Sequence, residues 1–305
     1  MPRASRSAIM QWERSSARPR TRTFFSVAEP GAIMRRDIDE ALRGWPYDPE
    51  FDEVEAREIL ARDGRTVLQI RVDLGVLQME LDGRPDGARP RGFLTYLDYL
   101  RHRSKFRRRR RSQAAADPGP VGWSMSPEHC AEADRELVQF YHRRVAFLTL
   151  QHYERALRDA EHSLNLMDFI ADFGPTPEYV ERHERLRAGI LFDRTQASAA
   201  LALERTSPEE AIDAIREGVD RLERHARTLL EMDDLDDFEA LELPPGELET
   251  PTVAYIERLR RLETEVRHHF EVPKTLREQL DEAVEHEDYE RAARLRDQIR
   301  SRSRS

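Results

Sequence analysis

The sequence has few of the residues and runs that several classes of protein require. It contains a single cysteine, Cys130, among 305 residues. One cysteine excludes a disulfide within the chain and any zinc site built on several cysteines, which fits a reducing compartment. No apolar run approaches the roughly 20 residues that a membrane-spanning helix needs. We therefore expect a cytoplasmic protein.

Lysine is almost absent, since only Lys105 and Lys274 occur. Nearly every base is arginine, and acids outnumber bases, so the formal net charge is −9. An acidic chain disfavours a dedicated nucleic-acid binder, whose association depends on positive charge. Charged residues make up 36% of the chain and hydrophobic ones 39%. This composition is typical of a helix-rich protein with solvated faces.

The motifs of common enzyme classes are missing as well. A phosphate-binding P-loop needs Gly-Lys before Ser or Thr, but neither lysine follows a glycine. The sequence contains no Gly-x-Ser-x-Gly elbow and no His-Glu-x-x-His helix. His129 and Cys130 are neighbours in the first turn of a predicted helix, where adjacency does not give the geometry of an activated nucleophile. We predict no enzymatic activity, no catalytic residue, no metal and no cofactor.

The last thirty residues have the pattern of a helical hairpin. The apolar positions of the first helix are Leu276, Leu280, Ala283 and Val284. A polar break follows at 286–288, where Asp288 can cap the next helix. The apolar positions of the second helix are Tyr289, Ala292, Leu295 and Ile299. Two short helices cannot bury both stripes completely, so the pattern predicts a binding surface.

The run at 287–299, which follows Leu280-x-x-Ala283, resembles the UVR motif shared by the excision-repair proteins UvrB and UvrC. The motif also occurs in McsA-like and ClpC-like stress proteins. The resemblance implies a small antiparallel hairpin that pairs with another hairpin of its kind, so it implies protein binding and not a reaction. The predicted protein-binding residues are Leu276, Leu280, Ala283, Tyr289, Ala292, Ala293, Leu295, Arg296, Asp297 and Ile299.

The hydrophobic pattern between residues 34 and 106 differs from the helical pattern of the hairpin and predicts a small α+β domain. Asp63-Gly64 marks a β-hairpin, because glycine tolerates the positive φ of a type I′ turn. Alternating residues predict one half-buried strand through Leu68, Ile70, Val72, Leu74 and Val76. A helix that begins near Phe93 is expected to cover one face of the sheet. Carboxylates near the turns lack an accompanying His or Cys, and we interpret them as solvated groups: Asp73, Glu80, Asp82 and Asp86.

Three segments outside the predicted domains have distinctive composition. Residues 1–33 carry six arginines against two glutamates and have no hydrophobic period, which predicts a disordered basic arm. Because the pattern improves from Met34, we hypothesise that the natural chain starts there. Residues 107–124 are predicted to be a basic linker rich in proline and glycine. Residues 233–249 contain no base and are predicted to be an acidic linker.

The run at 101–111 holds eight basic residues and no acid. Such a run attracts phosphates through charge alone. One interpretation is a solvated continuation of the preceding helix, which we favour. The other is a nucleic-acid-binding patch formed by Arg107, Arg108, Arg109, Arg110 and Arg111.

Beyond the linker, residues 125–232 predict a helical scaffold. Four helix starts share one capping pattern, in which a hydroxyl caps the first turn and a proline occupies the first helical position. They are Ser126-Pro127, Thr176-Pro177, Ser207-Pro208 and Thr250-Pro251. The resulting helices are expected near 127–150, 152–170, 177–205, 208–232 and 251–270, with the hairpin at 273–301.

Two of these helices resemble the second helix of a tetratricopeptide repeat (TPR). They carry small residues at the steps where antiparallel helices pack closely, among them Ala156, Ala160, Ala211 and Gly218. Ala156 and Ala211 are 55 residues apart, however, whereas that repeat has 34 residues. The resemblance implies a TPR-like scaffold, and a plain helical bundle fits the pattern equally well.

These patterns predict a mainly α protein with a small N-terminal α+β domain (34–106), a TPR-like helical scaffold (125–232) and a helix plus UVR-like antiparallel hairpin (250–305). Two functions from different classes remain. The first is a non-catalytic adaptor whose hairpin docks a UvrB/UvrC-type or proteostasis partner bearing a similar hairpin, a second copy of the chain included. The alternative is a nucleic-acid-binding accessory factor in DNA repair that uses 101–111. The acidic net charge favours the adaptor.

Overall fold

The computed structural model describes residues 38–48, 54–113, 123–233 and 251–302. Within these ranges the chain is mainly helical, with one small antiparallel sheet near the N-terminal end. The predicted mainly α fold with a C-terminal helix pair is therefore confirmed. The predicted basic arm, half of the predicted linker at 107–124 and nearly all of the one at 233–249 lie outside the described residues, and the predicted domain boundaries stay predictions.

Helices make up most of the described chain, and the three strands lie between the first short helix and the long ones. A first short helix, α1, spans Asp39–Arg43, and a 3₁₀ turn spans Pro90–Gly92. The long helices are α2 Tyr96–Gln113, α3 Pro127–Thr149, α4 Tyr153–Phe173, α5 Pro177–Glu204, α6 Pro208–Asp233 and α7 Pro251–His269. The hairpin consists of α8 Leu276–Glu285 and α9 Tyr289–Arg302. From α3 to α7, each helix packs against the next one in the chain.

Most of the predicted helix caps that fall on described residues are observed. The Ser126 hydroxyl accepts a hydrogen bond from the backbone N–H of His129, and Thr176 caps α5 in the same way. Helix α6 begins at Pro208, as predicted, whereas Thr250 lies outside the described residues. Asp288 caps α9 through the backbone N–H of Arg291 at 3.0 Å. These caps supply acceptors for N–H groups that have no partner inside the helix.

The C-terminal ends of several helices share a capping motif that the sequence did not reveal. Helices α3, α5 and α8 each end in a Schellman motif, in which the N–H of a left-handed residue and the N–H of the next residue both bond back to the last turn. Helix α7 ends in a similar way, with the Val272 N–H bonded to the carbonyl of Arg267. Glycine is usual at this position because it has no side chain to clash. Here the residues with positive φ are Gln151, Thr206, Glu271 and Glu287.

Replacing Thr206 with glycine is therefore expected to stabilise the protein. Thr206 is β-branched and has φ +57, so its side chain opposes the conformation. We expect the free energy of unfolding to rise by about 0.5–1 kcal/mol, measured by urea denaturation. The matched control is Arg205→Gly, because Arg205 has φ −83 and glycine there should destabilise the protein. Equal effects of the two replacements would contradict this account.

The scaffold helices approach closely at the predicted small residues. Ala156, Ala160 and Ala211 have no exposed surface. At Gly218, an added Cβ would lie 2.1 Å from Oγ1 of Thr195, so α5 and α6 can pack here only because position 218 has no side chain. This close packing supports the interpretation of small residues as helix contacts. The TPR-like arrangement itself stays a prediction.

The sheet consists of β1 Ala56–Leu60, β2 Thr66–Val72 and β3 Gly75–Glu80, in that order and antiparallel. The predicted hairpin at Asp63-Gly64 is confirmed, but its turn is not type I′, which needs two successive positive φ values. Only Gly64 has one, at +84. The prediction of one continuous strand was wrong. Leu74 lies in the turn between β2 and β3, with 87% of its surface exposed, because the chain reverses there.

The inner face of the sheet packs on the helical scaffold. Leu68, Ile70 and Met79 form one buried cluster with residues of three helices, among them Phe147 of α3 and Ala156 of α4. The prediction that the following helix would cover this face was therefore wrong. The apolar side of α2 (Tyr96, Leu97 and Leu100) instead joins the main core of the helical bundle.

A buried ion pair fastens the end of the sheet to the bundle. The Arg143 guanidinium donates to both carboxylate oxygens of Asp159, at 2.6 and 2.8 Å, and both side chains are almost completely buried. It also donates to the carbonyl oxygens of Glu80 and Gly83, at 3.0 and 2.9 Å. One arginine therefore joins α3, α4 and the turn after β3.

A second buried charge fixes the start of α2. The carboxylate of Glu136, which has no exposed surface, accepts the backbone N–H groups of Tyr96 and Leu97 at 2.6 and 3.0 Å. Its oxygen Oε1 also lies 3.0 Å from Nε2 of His162. A negative charge at a helix N-terminus is favourable, because the exposed N–H groups carry partial positive charge. Glu136 thus acts as a cap supplied by another helix.

Candidate partner-binding hairpin

The C-terminal hairpin (residues 276–302) has a small core of its own. Ala283, Ala292 and Leu295 are buried between α8 and α9, and Leu276 and Leu280 pack against them while partly exposed. This cluster is separate from the main core and from the cluster under the sheet. Alanines at the contact let the two helices approach closely.

The base of the hairpin is attached to the bundle. Val272, just before α8, is buried in the main core. The Thr275 hydroxyl donates to Asp213 of α6 at 2.9 Å, and it also caps α8 by accepting the N–H of Glu278. The Thr275-x-x-Glu278 capping box is a sequence signature that our sequence analysis missed. The hairpin therefore begins from a fixed point.

Glu278 is the centre of the charges at this base. Its carboxylate lies 2.8 Å from Arg267 of α7 and 2.8 Å from Arg216 of α6. Burial alone would raise the pKa of Glu278, but the hydrogen bond from the Thr275 backbone and the two guanidiniums hold that pKa below its usual value. The carboxylate therefore stays ionised and fixes the hairpin against both helices.

The outer surface of the hairpin carries apolar side chains that its own core does not use. Val284 is 51% exposed and Tyr289 is 68% exposed, and they lie on either side of the connection between α8 and α9. Ala293 and Ile299 are half-buried. Arg296 and Asp297 are exposed and form an ion pair with each other at 3.2 Å.

The predicted protein-binding residues therefore divide into two groups. One group builds the inside of the hairpin: Leu276, Leu280, Ala283, Ala292 and Leu295. The other group remains accessible at least in part: Tyr289, Ala293, Arg296, Asp297 and Ile299. Val284, which we did not include among the binding residues, belongs with the second group.

The hairpin also matches a known protein-family motif. Residues 272–301 match the UvrB/uvrC motif. This match confirms the predicted resemblance and covers both helices of the hairpin together with its anchored base. No curated protein and no solved structure matches the chain.

Other candidate sites have ordinary structural partners. Cys130 is buried in the first turn of α3, and burial raises the pKa of its thiol, so it lacks the features of a nucleophile. Asp82 pairs with Arg158 at 2.6 Å, and Glu80 pairs with Arg65. Among the described residues, no group of three or more His, Cys, Asp or Glu side chains is placed to hold a metal ion.

The arginine run and the possibility of a membrane span are two separate points. The backbone of α2 continues through Arg107–Arg111 to Gln113, but the side chains of these arginines lie outside what the structure describes. The nucleic-acid-binding patch stays a prediction. In the part of the chain that the structure covers, no helix has both the length and the apolar character needed to cross a bilayer.

Proposed function

We propose that the protein is a non-catalytic adaptor whose C-terminal hairpin docks a partner that carries a similar helical hairpin. The observation that carries the proposal is the exposed apolar pair Val284 and Tyr289 on a hairpin that already has a core of its own. Apolar side chains that no longer serve folding are available for binding. The match to the UvrB/uvrC motif supports a UvrB/UvrC-type or proteostasis partner.

The distribution of charge supports a hairpin as the partner. Helix α8 contains four acids and one base, whereas α9 contains five arginines and two acids. A second hairpin with the same division can lie antiparallel to the first, so that acidic and basic helices face each other. Opposite charges at such a contact set orientation and favour the correct partner.

The scaffold supplies a rigid mount for this contact. The hairpin leaves the bundle at Thr275 and Glu278, which are held by α6 and α7. A rigid mount lowers the ordering cost of association, because the hairpin is already formed and oriented before it meets a partner. In this proposal the sheet and the helical bundle hold the hairpin and take no part in a reaction.

The test is the double replacement Val284→Glu and Tyr289→Glu in the full chain. Both side chains are exposed, so we expect the hairpin to stay folded and to lose its partner, because two charges would enter an apolar contact. Binding is measured by quantitative affinity purification from the native cell, followed by titration of the purified partner. We expect at least a tenfold loss of affinity.

Two controls separate docking from general effects. Leu60→Glu places the same charge at an exposed apolar position (74% exposed) on the sheet, and Arg261→Glu reverses a charge on an exposed part of α7, outside the hairpin. Both variants should retain the partner. If all variants lose it equally, or none does, the hairpin surface is not the docking site.

The alternative function rests on 101–111. It requires binding to DNA whose affinity falls as salt rises and that disappears when Arg107–Arg111 are replaced by alanine. A titration of the full chain on duplex and single-stranded DNA at several salt concentrations distinguishes this alternative from the adaptor.

A further inference from the structure

A cleft that shares no lining residue with the hairpin is lined by arginine and tyrosine. It has a volume of about 350 Å³ and lies between the segment 84–91, α2 and the first turns of α3. Its wall contains four arginines, two tyrosines and two glutamates: Arg84, Arg89, Arg91, Arg103, Tyr96, Tyr99, Glu128 and Glu132. We name it the arginine cleft. Neither the UvrB/uvrC motif nor the proposed adaptor function uses these residues.

The arginines of the cleft are not all neutralised. Arg84 is buried and pairs with Glu132 at 2.9 Å and with Asp86 at 3.2 Å, so its charge is satisfied within the protein. Within the described part of the chain, neither Arg89 nor Arg103 has a carboxylate at ion-pair distance. The carboxylates beside the cleft pair with Arg84 and Arg91, so Arg89 and Arg103 are the guanidiniums of its wall that remain available for a ligand.

The position of Arg103 is fixed before any ligand arrives. Its Nη1 donates to the Tyr99 hydroxyl at 2.5 Å, and its guanidinium carbon lies 5.9 Å from the centre of the Tyr99 ring. Its Nε is enclosed by the protein and has no hydrogen-bond acceptor among the described residues. The tyrosine contacts therefore hold the guanidinium in place while part of its hydrogen-bonding capacity stays unused.

The tyrosines add neutral donors to the same wall. Tyr96 is only 5% exposed, and burial raises the pKa of its phenol above the usual value, with Tyr99 and Glu128 adding to the effect. The hydroxyl therefore stays protonated over the physiological range and can donate a hydrogen bond. An anion in the cleft would meet both guanidinium and hydroxyl donors.

We propose that the arginine cleft binds the phosphate group of a small phosphorylated molecule, with Arg89 and Arg103 as its principal contacts. Guanidinium forks match phosphate oxygens in geometry and remain charged at every physiological pH. A volume of about 350 Å³ lies at the small end of the range for small-molecule sites, so the ligand is a compact phosphate ester or diphosphate.

Calorimetric titration of the full-length protein with inorganic pyrophosphate and with AMP at low salt tests the proposal. We expect saturable binding of at least one probe, and at least a tenfold loss of affinity in the double variant Arg89→Gln, Arg103→Gln. The matched control is Arg205→Gln, Arg227→Gln, which removes the same charge from two exposed positions, one just after α5 and one on α6. The control should bind like the natural protein.

Three outcomes would overturn the proposal. The first is that neither probe binds in a saturable manner. The second is that the control double variant weakens binding as much as the cleft variant does, since the effect would then reflect net charge alone. The third is that a DNA oligonucleotide binds more tightly through the same two arginines, because the surface would then belong to a nucleic-acid site. Thermal unfolding of each variant confirms that it remains folded.

Discussion

Replacing Arg143 with methionine is expected to lower the free energy of unfolding by about 3–5 kcal/mol. The replacement removes both hydrogen bonds that Asp159 accepts from Arg143 and leaves its buried carboxylate only the Arg158 guanidinium, at 3.6 Å. A buried charge that loses its main partner is far more costly than a broken ion pair at the surface. The carbonyl groups of Glu80 and Gly83 lose their donor at the same time. The change is measured by urea denaturation followed by circular dichroism.

The double variant Arg143→Met, Asp159→Leu is the decisive comparison. It removes both charges, so it should recover part of the lost stability, although the two carbonyl groups stay without a donor. Arg261→Met serves as a surface control, because its pair with Glu257 is exposed and contributes at most about 0.5 kcal/mol. A single variant no less stable than the double variant would show that the buried carboxylate is not the main cost.

Replacing Ala292 with glutamate is expected to unfold the hairpin while the rest of the protein stays folded. Ala292 is 8% exposed and touches the small cluster with Ala283 and Leu295, so the new charge would cost a few kcal/mol. A core of this size cannot absorb that loss. Hydrogen exchange followed by mass spectrometry should show lost protection in α8 and α9 and unchanged protection in α3–α6, because the clusters are separate.

Arg294→Glu is the control on the same helix. Arg294 is exposed, and its contact with Glu290 at 3.7 Å is an exposed pair of little energetic value. Protection of the hairpin should therefore be unchanged. If Ala292→Glu also left protection unchanged, the assignment of this residue to the inside of the hairpin would be wrong. Loss of a partner in the unfolded variant would not locate the docking surface, which is why exposed positions serve that purpose.

The starts of the helices could be predicted because their signals are local. A Ser or Thr followed by Pro caps a helix through an N–H only three residues later, so a few neighbouring residues show where the helix begins. Ser126 and Thr176 are examples. The ends could not be predicted in the same way. A Schellman motif is usually recognised in a sequence by glycine at its left-handed position, but this chain has Gln151 and Thr206 at that position. Backbone hydrogen bonds hold both residues in the left-handed conformation.

The packing of the sheet depended on information that no local pattern contains. Alternation correctly indicated that Leu68 and Ile70 are buried, but it does not say which element buries them. The buried charges were missed for a related reason, because Glu136 and Arg143 look like solvated residues in a charged sequence. A signal was present, since both interrupt the apolar face of α3 that includes Ala133, Leu137 and Phe140.

The hairpin shows how far a periodic pattern can assign single residues. The two stripes contain the residues of the hairpin core, but they also include Val284 and Tyr289 beside the connection, which are exposed. Periodicity identifies the apolar face of a helix and does not show which residues of that face its neighbour covers. The distinction between internal and accessible apolar residues therefore required the three-dimensional arrangement.

The cover of the sheet also determines the order in which parts of the chain can reach their final state during synthesis. Met79 completes the inner face of the sheet, but Phe147 and Ala156 leave the ribosome much later. At roughly 5–20 residues per second, about 4–15 s pass between the synthesis of the third strand and the synthesis of the helix surface on which the sheet packs. During that interval Leu68 and Ile70 are exposed to solvent and to other chains. Stable folding of the N-terminal sheet therefore has to follow the emergence of α3 and α4, although the sheet is made first.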